Sequence, residues 1–493
     1  MKNIMKRYLA LVMALALIFL CGCTQEPTTP TDTPTDAPTQ GTGDPSGTDD
    51  PTDGGNQGGY EGGIPDVDLG GYEFIMADWW SPAEPVQSEP DTAWEQLVAD
   101  YHAMIKSDMN FTFKQVGLQH LGSYNEVLIN SFIENKPLCS AFQLNISDFT
   151  AMAAQGLLYD LSDLEAFDFE NDPKWSQKII DFYTINGQIL AARPSEDQPR
   201  LGIYFNKRLL EEAGIDPDLP YDLQAEGKWD WEHFEELCIA LTRDTNNDGV
   251  TDIYAFGGND CEVMTVGIYG NGAMFVERDE NGFFVDGTLN PAFEEGLNWA
   301  ISLINKGYIS KFGQGQAWDS AYTDFKNGKS AMLVCQTWVM ESYLAGMTDE
   351  LGYVMLPAGP HGHVCTNMQP TPICIPACIG KENAEKAATI INTWYDTRVN
   401  IEEAEIMNIT FRDDYYGSFP DVRSVDETIT AMVTDPDCQI YDSYPLVPGY
   451  EYYGYLVEVA AQTATAAEKI EALRPVNQAA IDAANALFGK TAE

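Results

Sequence analysis

The segment from Asp244 to Asp252 has the residue types and spacing of a calcium-binding loop. Gly249 occupies its sixth position, where an EF-hand loop turns sharply. The candidate calcium ligands are Asp244, Asn246, Asp248, the carbonyl of Val250, and Asp252. Position twelve is Ala255 rather than Glu, so water or a distant carboxylate would have to complete the set of oxygens. The segment is therefore either a structural calcium site or a polar turn whose Asx side chains bond their own backbone.

Motifs for catalysis are missing from the sequence. It has no nucleophile elbow, no Walker A loop and no dinucleotide-binding fingerprint. Five histidines provide little base chemistry near neutral pH. Paired carboxylates carry no information in a chain with 76 acidic residues. We therefore predict a protein that is not an enzyme and that requires no cofactor. The sequence leaves open whether the protein binds a structural calcium ion.

Length and charge limit the classes of partner. The chain has 493 residues and is 44% hydrophobic, which is enough for at least one large core and favours two or three domains. Its formal net charge is -49. Proteins that bind nucleic acids or anionic membrane surfaces carry basic patches, so this charge argues against both as direct partners. A neutral, cationic or metal-bearing solute fits better.

The amino terminus has the pattern of an export signal. Basic residues precede the apolar run Leu9–Leu20, which is too short to span a bilayer as a mature helix. The run ends in Leu20–Cys23, which resembles a bacterial lipobox. We predict a lipoprotein signal peptide over residues 1–23, with Cys23 lipidated and the protein held at the outer face of the cytoplasmic membrane. An ordinary signal peptide cleaved nearby is the alternative.

Residues 24–70 form a low-complexity segment. Thr, Pro, Gly, Asp and Gln dominate it, and it contains no Lys or Arg. Such a composition cannot bury enough apolar surface to offset the entropy lost on ordering. We predict a disordered linker that holds a folded body away from the membrane.

Strand and helix patterns alternate after the linker. Short strand patterns at 71–77, 111–116 and 141–144 predict strands. Segments 94–104 and 124–134 carry apolar residues at helical spacing. This βαβ order predicts an α/β fold.

Four later motifs resemble one known family. They are Phe205–Lys207, where a strand enters a helix, Lys228–Phe234 at a helix start, the Phe-x-x-Gly-Lys-x-Ala-Met element Phe325–Met332, and the aromatic cluster Tyr450–Tyr455 before an alanine-rich segment. Each motif is weak alone, but their order and spacing resemble the family 1 extracellular solute-binding proteins. Members of that family are the carbohydrate-binding components of ATP-binding-cassette importers. The resemblance covers most of residues 71–488.

The resemblance implies a particular architecture. It is the type II periplasmic-binding-protein-like α/β fold, in which two α/β lobes are joined by a three-segment hinge and ligand is held between them. We place the three crossings near residues 193–201, 330–333 and 392–398. The lobes are then discontinuous, with lobe one formed by 71–192 and 333–393 and lobe two by 193–332 and 394–493. A few crossing segments suit a hinge between rigid bodies.

A sugar ligand would need aromatic platforms and polar hydrogen-bonding partners, because sugars present apolar faces with a rim of hydroxyls. Loops after the carboxyl ends of strands face the cleft in open α/β sheets. On this basis the leading predicted contacts are Trp79, Trp80, Asp148, Trp338, Tyr452 and Tyr453. The supporting predicted contacts are Arg193, Trp229, Asn271 and Trp318.

The resemblance therefore predicts a lipid-anchored receptor that captures a sugar or oligosaccharide and delivers it to an importer permease in the membrane. Two other functions stay open. One is a surface-anchored enzyme that cleaves or modifies glycans. The other is a binding protein for a non-sugar solute such as a peptide, a polyamine or a metal chelate, which the acidic surface would suit.

Overall fold

The computed structural model describes residues 63–84, 90, 92–118, 121–194, 199–310, 317, 319–368 and 371–490. Cys23, most of the predicted linker and Trp318 lie outside these residues. The predicted end of the linker at residue 70 is slightly too late. Leu69 is buried, and its N–H donates to the carbonyl of Met109 at 2.8 Å. The ordered body therefore begins before residue 71.

Fourteen strands are described. In chain order they are β1 Tyr72–Asp78, β2 Phe111–Gly117, β3 Ala141–Gln143, β4 Thr184–Ile185, β5 Gln188–Ile189, β6 Leu201–Asn206, β7 Tyr254–Gly257, β8 Val276–Arg278, β9 Phe284–Asp286, β10 Ser330–Gln336, β11 Leu351–Val354, β12 Thr366–Asn367, β13 Ile373–Cys374 and β14 Gln439–Ile440. Most belong to two four-stranded sheets, and the others form two-stranded pairs.

The helices of the described residues lie mostly between these strands. In chain order they are α1 Ala93–Asp108, α2 Leu121–Ile133, α3 Phe149–Ala154, α4 Gln177–Phe182, α5 Lys207–Glu212, α6 Leu219–Ala225, α7 Trp231–Leu241, α8 Asp260–Gly270, α9 Pro291–Asn305, α10 Ser320–Lys326, α11 Lys381–Trp394, α12 Thr397–Asn400, α13 Glu402–Ile406, α14 Asp413–Tyr416, α15 Thr430–Thr434, α16 Tyr453–Ala460 and α17 Ala466–Leu487. Short 3-10 turns at Ile146–Asp148 and Tyr444–Leu446 matter for the site.

The first sheet orders its strands β13-β3-β1-β2. β1 is parallel to β2 and β3, and β13 is antiparallel to β3. α1 connects β1 to β2 and begins at a capping box, in which the Thr92 hydroxyl accepts from the Glu95 N–H at 3.1 Å. It buries Tyr101 and Ile105. The strands and helices predicted for residues 71–144 are confirmed, with differences only at their ends.

The second sheet orders its strands β11-β6-β10-β7. β10 is parallel to β7 and antiparallel to β6, which also pairs with β11. Every residue of β6 is buried, with Ile203 and Phe205 in one core and Tyr204 in another on the opposite face. At Gly202 a Cβ would lie 2.5 Å from the Tyr353 ring, so the close approach of these strands requires glycine there.

The crossing predicted at residues 330–333 is wrong. These residues belong to β10, which pairs with β6 and β7, and β11 follows in the same sheet. The chain returns to the first sheet only between Val354 and Ile373. The strand residues 333–336 and 351–354, predicted for lobe one, therefore belong to the second sheet. An apolar strand has the same sequence pattern whichever sheet takes it, because the partner strands are distant in the chain.

Residues 394–404 also differ from the predicted division, which placed them in lobe two. The Asn400 amide donates to the Tyr101 hydroxyl at 3.2 Å, and Ile401 and Ala404 are buried in the core of the first sheet. Farther on, the Tyr221 hydroxyl donates to Asp421 at 2.7 Å beside the second sheet. The chain therefore leaves the first sheet later than predicted. The chain also passes from the first sheet to the second after Ala192, which bridges to Ile373, and before Leu201, which opens β6.

Candidate functional site: aromatic side chains at the sheet ends

The turn that follows β1 is held by a buried carboxylate. Asp78 is fully buried at the end of the strand. It accepts hydrogen bonds from the Trp80 N–H at 3.0 Å, the Ser81 N–H at 2.7 Å and the Gln115 amide at 2.7 Å. The Ser81 hydroxyl donates to the second carboxylate oxygen at 2.7 Å. These bonds fix the direction in which the next two side chains leave the strand.

Those two side chains are Trp79 and Trp80. Their rings meet edge to face with centroids 4.8 Å apart, and Trp79 also contacts Tyr124 at 5.6 Å. Trp79 is half-buried against the core, whereas Trp80 is 52% exposed. The turn therefore presents one indole to solvent and uses the other to support it.

Asp148 lies after β3, at the end of the turn Ile146–Asp148. Its carboxylate accepts from the Asn125 amide of α2. The turn packs against Tyr444–Leu446, and the Thr150 hydroxyl donates to the Leu446 carbonyl at 2.8 Å. This contact brings the turn that carries Asp148 close to Tyr444, which forms a tyrosine cluster with Tyr452 and Tyr453.

The tyrosine cluster begins at Tyr444. Its ring lies 4.6 Å from that of Tyr452, whose ring is 6.1 Å from that of Tyr453. Tyr452 is partly buried, and Tyr453, the first residue of α16, is 55% exposed. The cluster thus repeats the arrangement at Trp79 and Trp80, with one ring packed and the next in solvent.

Trp338 follows β10 at the end of the second sheet. It is 37% exposed, and its indole N–H donates to the side-chain oxygen of Gln336 at 2.9 Å. Its ring lies 5.9 Å from Tyr343, which contacts Tyr322 at 5.2 Å. Trp80 and Trp338 are the two exposed tryptophans among the described residues, and both follow directly on strands of the main sheets.

A buried carboxyl group contacts Tyr322, the ring that is farthest from Trp338 in this row. Glu262 accepts from the Tyr322 hydroxyl at 3.4 Å and from the Cys335 thiol at 3.5 Å. Glu262 is also the N3 residue of the capping box at the start of α8, in which Asn259 is the N-cap. Burial raises the pKa of Glu262 to about 7. Sequence reasoning missed this residue, although the Asn-x-x-Glu capping pattern was visible.

The raised pKa of Glu262 predicts that stability falls as the pH rises from about 4.5 to 7. The protonated Glu262 carboxyl contributes its full stabilisation below pH 4.5, where it is protonated in both the folded and the unfolded protein. This stabilisation is lost as the pH rises to 7, because the folded protein holds the proton more tightly than the unfolded chain does. It amounts to at most about 3 kcal/mol. Urea unfolding across this range should show a smaller fall in Glu262→Gln than in the wild type.

Asp442, whose pKa burial also raises to about 7, contributes to the same pH range in both proteins. The difference between wild type and Glu262→Gln therefore isolates Glu262. Equal pH dependence in the two proteins would contradict the assignment.

Two of the predicted contacts belong to the core instead. Trp229 is 1% exposed, and its indole N–H donates to the carbonyl of Met355 at 2.7 Å. Asn271 is fully buried, donates to the Ala292 carbonyl at 2.9 Å and accepts from the His361 N–H at 3.1 Å. Their polar atoms stabilise neighbouring backbone, so neither side chain is available to a solute.

Arg193 lies away from the exposed aromatic side chains. It lines a cavity beside the connection between the sheets, and its guanidinium donates to the Thr371 carbonyl at 2.9 Å. Of the ten predicted contacts, the structure therefore places six at or near the exposed aromatic groups, two in the core, one at this cavity and one, Trp318, outside the described residues.

The candidate calcium loop uses its oxygens as acceptors of backbone N–H groups. The two oxygens of Asp244 accept from Asn247 and Gly249, each at 2.7 Å, and Asp252 accepts from Thr245 at 2.8 Å. Within the described ranges no group of three or more His, Cys, Asp or Glu side chains is placed to hold a metal ion. These are the bonds of a polar turn, and calcium binding stays a prediction.

The sequence matches the family model of bacterial extracellular solute-binding proteins over residues 87–389, which is more than half of the chain. The protein therefore belongs to the bacterial extracellular solute-binding protein family. Its fold is that of the type II periplasmic binding proteins, with two lobes, as the sequence motifs predicted.

Several solved structures share this fold at low sequence identity. The GacH receptor of Streptomyces glaucescens, solved unliganded and with acarbose, is 17% identical with a TM-score of 0.57, covering 86% of this chain and all of its own. The cyclic α-maltosyl-1,6-maltose binding protein of Arthrobacter globiformis is 15% identical, with a TM-score of 0.59 and coverage of 84% and 99%.

UgpB of Mycobacterium tuberculosis, solved with glycerophosphocholine, is 16% identical with a TM-score of 0.58, covering 84% of this chain and 99% of its own. The curated proteins contain no match to the sequence. Along the described part of the chain, no helix has both the length and the apolar character needed to cross a membrane.

Proposed function

We propose that this protein captures a neutral sugar or oligosaccharide between its two lobes and delivers it to the permease of an ATP-binding-cassette importer. One observation carries the proposal: large aromatic side chains stand exposed at the strand and helix ends of both halves of the fold. They are Trp80, Trp338 and Tyr453. Each is supported by a second, more buried ring.

The exposure of these aromatic side chains costs stability. Burying a large apolar side chain contributes roughly 1.5–3 kcal/mol, so leaving two tryptophans partly exposed forgoes some of that stability. Aromatic faces in water suit the apolar faces of sugar rings, and the carboxylate of Asp148 suits their hydroxyls. A sugar held by both halves would favour the closed form through contacts that the open form lacks.

The family supports the class of solute and the transport role. Neighbours with this fold include proteins solved with acarbose and with maltotetraose. The glycerophosphocholine complex of UgpB keeps a non-sugar solute as the second candidate. The lipobox-like Leu20–Cys23 and the low-complexity segment after it support a lipid anchor at Cys23 on the outer face of the cytoplasmic membrane.

Calorimetry with neutral mono- and oligosaccharides, followed by recovery of each glycan, tests this function. Saturable one-to-one heat of binding with every glycan recovered intact is expected. Cleaved or modified glycans would identify a surface enzyme instead. Stabilisation by polyamines, peptides or phosphodiesters and never by sugars would identify a receptor for a non-sugar solute.

Calcium binding at residues 244–252 is a separate prediction. If the loop binds the ion, calcium should raise the Tm of chelator-treated protein by a few degrees, because a ligand that binds only the folded state stabilises it. Asp248→Asn should remove that rise, since it removes one charged ligand. Scanning calorimetry with magnesium as the control ion measures both. An equal rise in Asp248→Asn would place the calcium elsewhere.

A further inference from the structure

Two cysteines lie side by side at the start of a short parallel ladder. β12 and β14 pair in parallel, and their first pair sets Thr366 opposite Gln439. Cys365 and Cys438 are the residues immediately before these two. The register of the ladder therefore places the two cysteines opposite each other, although 72 residues separate them along the chain.

This placement fits the geometry of a disulfide bond. Neighbouring strands lie about 4.7–4.9 Å apart, and facing residues of parallel strands direct their side chains to the same side of the sheet. A disulfide requires Cα atoms about 4.4–6.8 Å apart. The two thiols are close enough to interact electrostatically, because burial and the neighbouring Cys438 raise the pKa of the Cys365 thiol. The strands therefore need not move for the bond to form.

Both side chains are thiols in the structure, and each donates a hydrogen bond to an acceptor other than its neighbour. The Cys365 thiol donates to the Tyr269 carbonyl at 3.4 Å, and the Cys438 thiol donates to the Asp435 carboxylate at 3.5 Å. A thiol is a weak donor, so little is lost when these bonds break. Rotation about the Cα–Cβ bond of each cysteine would turn the sulfur atoms towards each other.

Both acceptors keep a backbone donor after such a rotation. The Gly272 N–H donates to the Tyr269 carbonyl at 2.9 Å, and the Asp437 N–H donates to the Asp435 carboxylate at 3.0 Å. A buried acceptor that loses all its donors costs free energy, and neither of these two does. Oxidation of the cysteine pair therefore carries no penalty from these acceptors.

Burial limits when the bond can form. Cys365 is fully buried and Cys438 is 7% exposed, so a dissolved oxidant has poor access to both sulfur atoms in the folded protein. Burial and the Asp435 carboxylate raise the pKa of Cys438 to about 12, whereas the thiolate is the form that attacks a disulfide. Both thiols are accessible in the unfolded chain. The bond is therefore expected to form during folding and to resist reduction afterwards.

The position of the pair in the fold gives the bond a structural role. The Leu356 N–H donates to the Cys365 carbonyl at 2.9 Å just after β11, and Cys438 packs in the core that contains Tyr204 of β6. Between the two cysteines the chain passes through β13 and α11 beside the first sheet. A bond between them would join the point where the chain leaves the second sheet to the point where it returns.

We propose that Cys365 and Cys438 form a disulfide bond as the exported chain folds, and that this bond stabilises the protein by closing the long loop between them. The family is extracellular, and disulfides form and persist in oxidising extracellular surroundings. The oxidant is another disulfide, either a small molecule or a protein. One cysteine thiolate displaces a thiol from it to give a mixed disulfide, and the second cysteine thiolate displaces the other thiol. The cysteine pair loses two protons and two electrons, and the oxidant is reduced to two thiols.

Refolding of the reduced full chain from urea, with and without oxidised glutathione, tests the bond. After alkylation of the remaining thiols, peptide mass spectrometry without reduction should find the Cys365 peptide joined to the Cys438 peptide in the oxidised sample. Folded reduced protein given the same glutathione should form this bond at least about tenfold more slowly. Recovery of both cysteines as alkylated thiols, or joined to other cysteines, would overturn the bond. Equal rates would overturn its formation during folding.

Thermal unfolding separates the covalent bond from the packing of the thiols. The oxidised wild type should have a Tm several degrees above that of the reduced wild type, because the bond restricts the unfolded chain. Cys365→Ala and Cys438→Ala should each have the same Tm in both conditions. Cys238→Ala removes a fully buried thiol from α7 and is the matched control, which should keep the difference. No difference in the wild type, or a difference retained in Cys438→Ala, would overturn the stabilising role.

Discussion

Replacing Trp80 and Trp338 together by alanine should weaken neutral-glycan binding by about 2–6 kcal/mol. Each exposed indole that stacks on a sugar is expected to contribute about 1–3 kcal/mol. The two lie after strands of different sheets, so their effects should be nearly additive. Titration calorimetry on the single and double variants measures each contribution, and Tyr453→Ala extends the series to the tyrosine cluster.

Stability should fall by less in these variants than in a core variant, because Trp80 is 52% exposed and Trp338 is 37% exposed. Tyr416→Ala provides a matched control, since Tyr416 is an exposed aromatic residue outside the candidate site. It should leave both glycan affinity and Tm close to those of the wild type. Unchanged affinity in the double variant, with the fold intact, would remove both tryptophans from the sugar site.

Trp229→Ala should have the opposite effect, a loss of about 3–5 kcal/mol in the free energy of unfolding. The side chain is 1% exposed, contacts Phe234 edge to face with centroids 5.7 Å apart, and donates to the Met355 carbonyl. Its removal leaves a large cavity and an unpaired carbonyl. Urea unfolding at an unchanged m value measures the loss.

Trp229→Phe is the companion variant. It keeps much of the ring volume and removes the indole N–H, so it should cost about 1–3 kcal/mol, mainly for the unpaired Met355 carbonyl. Glycan affinity measured well below the unfolding transition should be unchanged in both variants. Weaker glycan binding in a variant of normal stability would return Trp229 to the ligand site.

Local elements were predictable from the sequence because their signals are short-range. β1, α1 and β2 followed from apolar spacing, and the Thr92–Glu95 capping box lies within four residues. The family motifs were equally local, and the family match now supports the interpretation drawn from their order. Neither inference required knowledge of which strands pair.

The assignment of strands to sheets was less predictable. The run Ser330–Gln336 reads as a buried strand in any sheet, and its partners lie far away in the chain, at Leu201–Phe205 and at Tyr254–Gly257. The predicted crossing at 330–333 was wrong for this reason. The cavity at Gln143 and Arg193 was not visible either, since segments distant in sequence build its wall.

The tryptophans show which property of the protein could not be predicted from the sequence. Periodicity, charge and motif order were sufficient to predict the α/β class and the family, because these patterns involve residues that are close together in the sequence. They could not distinguish Trp229 in the core from the partly exposed Trp338, although Trp229 lies in one family-like motif and Trp338 follows another. Exposure depends on which surfaces the packed sheets cover, and that is a property of contacts between residues far apart in the chain.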